Sequence, residues 1–117
     1  MATQNVRICS KGDIPNGQGK GFKVGKLELA VFHTESGFFA TCNVCSHEYE
    51  HLHEGWLEDH LIECPKHGSQ FDLRTGDAIS LPATQPIEVY EVKLEGDDVI
   101  VAIPEKYLNA VGVGKES

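Results

Sequence analysis

Cys45-Ser46-His47 is followed, sixteen residues later, by Cys64-Pro65-Lys66-His67. These two Cys-His pairs read as four metal ligands carried on two separate loops. The pairs are also unequal: one is Cys-x-His and the other Cys-x-x-His. Whatever scaffold this chain adopts must bring those two loops to one point.

Thiolates are soft ligands suited to iron–sulfur centres, and imidazole serves iron or zinc. Two loops of this kind can set Cys45 and Cys64 on an inner iron and His47 and His67 on an outer one. That is the mixed ligation of a Rieske-type 2Fe–2S centre, whose potential is raised because two histidines replace two cysteines. Neutral imidazoles remove negative charge, so one electron enters more easily. Each can also lose its remaining N–H proton, so the potential should fall as pH rises through those ionisations. The neighbours fit such a site. Gly68 lets backbone approach a sulfur, Pro65 stiffens the turn, and Ser69 can donate a hydroxyl hydrogen bond to sulfur.

Three zinc patterns compete. The same four residues form a Cys₂His₂ set. Cys42, Cys45, Cys64 and His67 form a ribbon-like Cys₃His set. His47-Glu48-Tyr49-Glu50-His51 satisfies H-E-x-x-H, a protease signature that requires a helix through both histidines.

The 117 residues suit one domain, 1–117, and 40% hydrophobic with 24% charged residues is the composition of a globular chain. No apolar run approaches the ~20 residues of a membrane span. The first residues lack the pattern of a signal peptide. A cytoplasmic, monomeric protein is expected. A net charge of −8 opposes nucleic-acid binding and suits basic patches on protein partners. In a reducing compartment the four cysteines point to metal or redox use rather than disulfides.

Alternation reads as all-β. Asn5 to Cys9 is a strand, and Lys11 to Gly21 is a turn-rich loop. Leu27 to Thr34 and Phe38 to Cys42 form a hairpin about Glu35-Ser36-Gly37. Glu88 to Leu94, with Tyr90, Val92 and Leu94 on one face, pairs with Val99 to Ile103. Between the hairpins, brief strands are expected at Gly55-Trp56-Leu57 and His60-Leu61-Ile62, inside a cluster-binding subdomain over about 43–71. The base takes about 5–42 and 72–104, and about 111–117 reads as a flexible tail. His51, His53 and His60 read as surface polar residues and His33 as structural. Cys9 reads as a buried thiol, and Trp56 chiefly as a packing residue or else as the mark of a docking surface.

Three stretches resemble the Rieske-type ferredoxins of bacterial ring-hydroxylating dioxygenase systems: GFFATCNVCSH (Gly37 to His47), EGWLEDHLIECPKHGSQFDLRTGDAISLPATQPI (Glu54 to Ile87) and EVYEVKLEGDDVIVAIP (Glu88 to Pro104). The resemblance implies the Rieske fold, a β-sandwich-like base with the cluster subdomain at one end and His47 and His67 at its tip. Leu81-Pro82 matches a loop covering the cluster. The chain would have no substrate of its own and would not be an enzyme. It would carry one electron at a time from a ferredoxin reductase, a flavoprotein, to a terminal Rieske oxygenase, with Glu48, Lys66, Gly68 and Pro82 as rim contacts. A Rieske-like small subunit of another redox complex, such as nitrite reductase, and a zinc-stabilised interaction module without redox function are the alternatives. Glu50 and Lys66 stand where high-potential Rieske proteins carry a disulfide, and Phe71 stands where they carry a tyrosine. Both departures place the potential toward the low end of roughly −150 to +300 mV, with Ser69 pulling the other way.

Overall fold

The computed structural model describes residues 3–43, 51–65, 69–79 and 86–108. Within them, ten strands form three antiparallel sheets. The first has the order β1 (Thr3–Ser10), β10 (Asp98–Pro104), β9 (Val92–Glu95). The second runs β2 (Gln18–Val24), β3 (Leu27–Thr34), β4 (Gly37–Cys42), β8 (Val89–Tyr90). The third is small: β5 (Trp56–Glu58), β6 (Leu61–Glu63), β7 (Gln70–Asp72).

The central strand β3 explains how the three sheets cohere. Its residues Leu27, Leu29 and Val31 alternate into a cluster with Ile14, Ala40, Val99, Val101 and Ile103, between the first two sheets. The intervening Ala30 and Phe32 enter a second cluster with Leu52, Ile62, Cys64, Phe71, Leu73 and Ile87, beneath the third sheet. A strand buried on both faces reads as a near-continuous apolar run, as LELAVFHT does. Each fully buried Leu or Phe contributes roughly 1.5–3 kcal/mol.

The all-β expectation and the β3–β4 hairpin agree with these sheets. Three local expectations do not. The loop expected to run to Gly21 gives way to β2 at Gln18, paired along its length with β3. Gly19 and Gly21 suggested a turn, yet both occupy strand positions where a side chain has no room. A Cβ on Gly19 would lie 2.5 Å from the Phe32 ring, and one on Gly21 2.8 Å from Asn43 Nδ2. Glycine here marks close approach rather than a bend.

The expected single strand from Glu88 to Leu94 is divided at Glu91. Val89–Tyr90 pairs with β4, whereas Val92–Glu95 pairs with β10. The chain crosses from one sheet to the other, and Ala102 N–H donates to Glu91 O at 3.0 Å at the crossing. The alternation is interrupted there, and Leu94 is 44% exposed rather than sharing a buried face with Tyr90. Strand β7 was not anticipated. It is three residues long, and its Phe71 and Asp72 are buried.

Tyr90 and Tyr107 donate to the Glu88 carboxylate at 2.7 and 2.8 Å, tying a helical turn at 105–108 to the base. The expected tail lies outside the described residues. Among those described, no helix is long and apolar enough to cross a membrane.

Candidate metal centre

Strands β6 and β7 pair with Ile62 opposite Phe71 and Glu63 opposite Gln70. The next pair closes the hairpin: Cys64 N–H donates to the Ser69 carbonyl at 2.7 Å. Both residues are fully buried, and Cys64 packs among Ile62, Phe71 and Leu73. The hairpin thus delivers one expected ligand, Cys64, at its neck. A thiolate in apolar surroundings is stable only beside a compensating positive charge, so a buried cysteine at this neck fits an iron ligand. Phe71, one residue inside the sheet, presents no hydroxyl there.

The Phe-Asp-x-Arg-Thr-Gly continuation is a turn that locks this hairpin. Asp72 Oδ1 accepts from the Arg74 backbone N–H at 2.8 Å, and the Arg74 guanidinium bonds both carboxylate oxygens at 3.1 and 3.0 Å. The Arg74 hydrogen bonds hold the Asp72 carboxyl below the usual carboxylate range. Gly76 takes φ +86°, which favours glycine, and accepts Ile87 N–H at 2.8 Å.

The first Cys-His pair lies in a segment whose two ends are fastened by a buried residue, Asn43. Its backbone N–H donates to Glu28 O at 2.7 Å, and its carbonyl accepts Leu52 N–H at 3.0 Å. Its side-chain Oδ1 accepts His53 N–H at 2.9 Å, and its Nδ2 faces His53 Nδ1 at 2.8 Å. Residues 43 and 51–53 are thereby held together around the intervening residues. Asn43 was not singled out from the sequence. The only signal is an asparagine placed directly after a strand and two residues before the first expected ligand, Cys45.

Of the four expected ligands, Cys64 is placed as described. Cys45, His47 and His67 lie outside the described residues, as do Glu48, Glu50, Lys66, Gly68, Leu81 and Pro82. His51 is extended (φ −82°, ψ 118°) ahead of a 3₁₀ turn at Leu52–Glu54, so the helix that H-E-x-x-H requires does not pass through it. Cys42 packs against both hydrophobic clusters. Among the described residues, no three or more His, Cys, Asp or Glu side chains gather as a metal site. His33 is structural, with Nδ1 2.8 Å from Ile14 O and its ring stacked on Phe38 at 4.1 Å. Cys9 is a buried thiol whose ionisation burial pushes up. Trp56 does not pack the subdomain; it is 66% exposed.

Three sheets around a strand buried on both faces, with a cysteine at the neck of a short hairpin, define a class. The Rieske [2Fe-2S] domain family matches residues 4–91, and this chain belongs to it. The chain is 45% identical over 96 residues to the ferredoxin component of biphenyl 2,3-dioxygenase from Rhodococcus jostii, covering 82% of this chain and 90% of that one. It is similar to the solved ferredoxin of carbazole 1,9a-dioxygenase from Nocardioides aromaticivorans, with a TM-score of 0.81 and 30% identity, covering 89% of this chain and 100% of that one. A complex of reduced oxygenase and oxidized ferredoxin in carbazole 1,9a-dioxygenase aligns with a TM-score of 0.78 and 36% identity, over 84% of this chain and 92% of that one. The cofactor is one Rieske 2Fe–2S cluster, and the zinc readings are set aside.

Proposed function

We propose that this chain is the ferredoxin component of an aromatic-ring-hydroxylating dioxygenase system, carrying single electrons from a reductase to a terminal oxygenase. The observation that carries the reading is the 45% identity to such a component across 82% of this chain and 90% of that one. A second support is the similar ferredoxin seen in complex with its oxygenase.

When bound, the cluster supplies reversible one-electron exchange. Cys45, Cys64, His47 and His67 would hold it, a set of two thiolates and two imidazoles that suits an iron–sulfur centre of mixed ligation. Cys64 and Ser69 close the second loop, and Asn43 closes the first. Burial of Cys64 keeps water from the thiolate side. The third sheet, spanning 56–72, supports a subdomain over about 43–71 on a base formed by about 5–42 and 72–104. The chain has no substrate of its own and is a monomeric, cytoplasmic carrier rather than an enzyme. Its reductase is a flavoprotein.

The test is the EPR spectrum of the dithionite-reduced protein, with iron and sulfide assayed, followed by reconstitution. A rhombic signal with an average g below that of all-cysteine clusters, two irons per chain, and transfer of electrons from a flavoprotein reductase to a Rieske oxygenase are expected. A colourless protein holding one zinc, or a normal cluster that no oxygenase can oxidise, would overturn the reading.

A further inference from the structure

Strands β5, β6 and β7 lay two alternating rows across the third sheet. Leu57, Ile62, Phe71 and Ala78 form the inward row, packed into the cluster beneath. The outward row is Trp56, Glu63 and Gln70, extended by Ile79, whose N–H donates to Gln70 O at 2.7 Å. Two large apolar side chains therefore bracket a polar pair on one face. Trp56 is 66% and Ile79 52% exposed, and Gln70 Nε2 donates to Glu63 Oε1 at 3.4 Å between them. The exposed Glu58 is the next outward residue on β5.

Leaving an indole in water forgoes roughly 1.5–3 kcal/mol of burial, and nothing in the packing of this sheet requires it. The row also sits one residue from the Cys64–Ser69 pair, roughly 3.3 Å along the strand. A protein seated on it is therefore brought close to the strand end that carries Cys64.

We infer that this outward face docks the terminal oxygenase, through an apolar recess that receives Trp56 and Ile79 and is rimmed by Arg or Lys. The inference rests on the electron-carrier reading above. Charge argues for the basic rim. Glu63 lies between the two apolar side chains and Glu58 beside Trp56, the chain carries a net charge of −8, and the cation tied to β7, Arg74, is committed to Asp72. Size argues against a second copy of the chain. Two apolar side chains on a three-stranded sheet fall well short of the ~800 Å² per partner of a stable dimer, and suit the smaller area of a transient redox encounter.

The experiment follows reduction of the terminal oxygenases of biphenyl- and carbazole-type systems by stopped-flow absorbance, at increasing concentrations of the reduced, cluster-loaded ferredoxin. Trp56→Ala and Ile79→Ser are each expected to raise the half-saturating concentration about fivefold or more. Absorption and EPR spectra, midpoint potential and limiting rate should stay unchanged. Glu58→Lys should raise the half-saturating concentration too, and flatten its dependence on salt. Two apolar variants are used so that one decides if the other loses its cluster. Unchanged half-saturation in a cluster-loaded Trp56 or Ile79 variant overturns the docking face while leaving the carrier reading intact. A wild-type dimer that becomes monomeric in Trp56→Ala assigns the face to a second copy and also overturns the inference. Failure of the wild-type chain to reduce any oxygenase overturns the carrier reading, and the docking face with it.

Discussion

The Asn43 carboxamide and the His53 imidazole meet at 2.8 Å, and the His53 backbone N–H donating to Asn43 Oδ1 at 2.9 Å decides which amide atom faces the ring. Nδ2 is the donor, so His53 Nδ1 accepts and carries no proton. One residue thereby fastens both ends of the segment that contains Cys45 and His47. Asn43→Ala leaves a buried N–H without its acceptor, and should cost about 2–3 kcal/mol of stability. Urea unfolding, with cluster absorbance followed in parallel, is expected to show both falling together. Asn43→Asp keeps the acceptor for His53 N–H and should recover most of the loss, because the ring can shift its proton to Nδ1.

Gly21 lies directly behind this pair. A Cβ there would sit 2.8 Å from Asn43 Nδ2 and 2.9 Å from the His53 ring. Gly21→Ala is expected to destabilise by about 1–3 kcal/mol through overpacking. Combined with Asn43→Ala, it should cost less than the sum of the two, since one of the two clashing groups is gone. Additive costs in a double-mutant cycle would show that the strand yields instead.

Ser69 is fully buried at the neck of the hairpin opposite Cys64, and Phe71 is fully buried two residues on. If its hydroxyl donates to a cluster sulfur, as the sequence reading expects, removing it forfeits at most about 1.5–3 kcal/mol of preference for the reduced state. At ~59 mV per 1.4 kcal/mol for one electron, Ser69→Ala should lower the midpoint potential by roughly 60–120 mV. Phe71→Tyr should raise it by a similar or smaller amount. Protein-film voltammetry checks both, and an unmoved potential in Ser69→Ala would place its hydroxyl away from the sulfurs.

The Glu88 carboxylate, held by the Tyr90 and Tyr107 hydroxyls and 3.5 Å from Lys106 Nζ, ionises below the usual glutamate range, chiefly through the Tyr90 bond. Its stabilising contribution is complete above the unfolded pKa of about 4.3 and disappears as pH falls through the lower folded value. Glu88→Gln should therefore destabilise the protein at neutral pH and converge on wild type in acid. Thermal midpoints of the two proteins between pH 3 and 7 measure the difference, which cancels the other carboxylates. A constant gap would assign the effect to packing alone.

The parts legible in the sequence were those governed by alternation. Val99, Val101 and Ile103 announce β10 by period two, and LELAVFHT announces a strand, though its burial on both faces emerges only from the packing. Illegible were features set by contacts distant in the chain. Gly19 and Gly21 mimic a turn because their purpose, room for Phe32 and for the Asn43–His53 pair, lies in other strands. The break at Glu91 depends on which sheet each half joins, and no local pattern encodes that. At the site, the Cys-His spacing pointed to the cofactor, and the family match agrees. The same spacing is silent about Asn43, whose work is done through residues ten positions away. It is equally silent about Trp56, whose aromatic bulk predicts burial when considered alone.

Strand β3 gives Leu27, Leu29 and Val31 to one hydrophobic cluster and Ala30 and Phe32 to the other. Neither cluster can be opened without stripping one face of the same backbone, so the molecule has no cheap partial melt. A carrier that meets one protein, leaves, and meets another spends much of its life between partners. Sharing a strand between the two packed layers ties the ground beneath Cys64 to the integrity of the whole fold throughout those intervals.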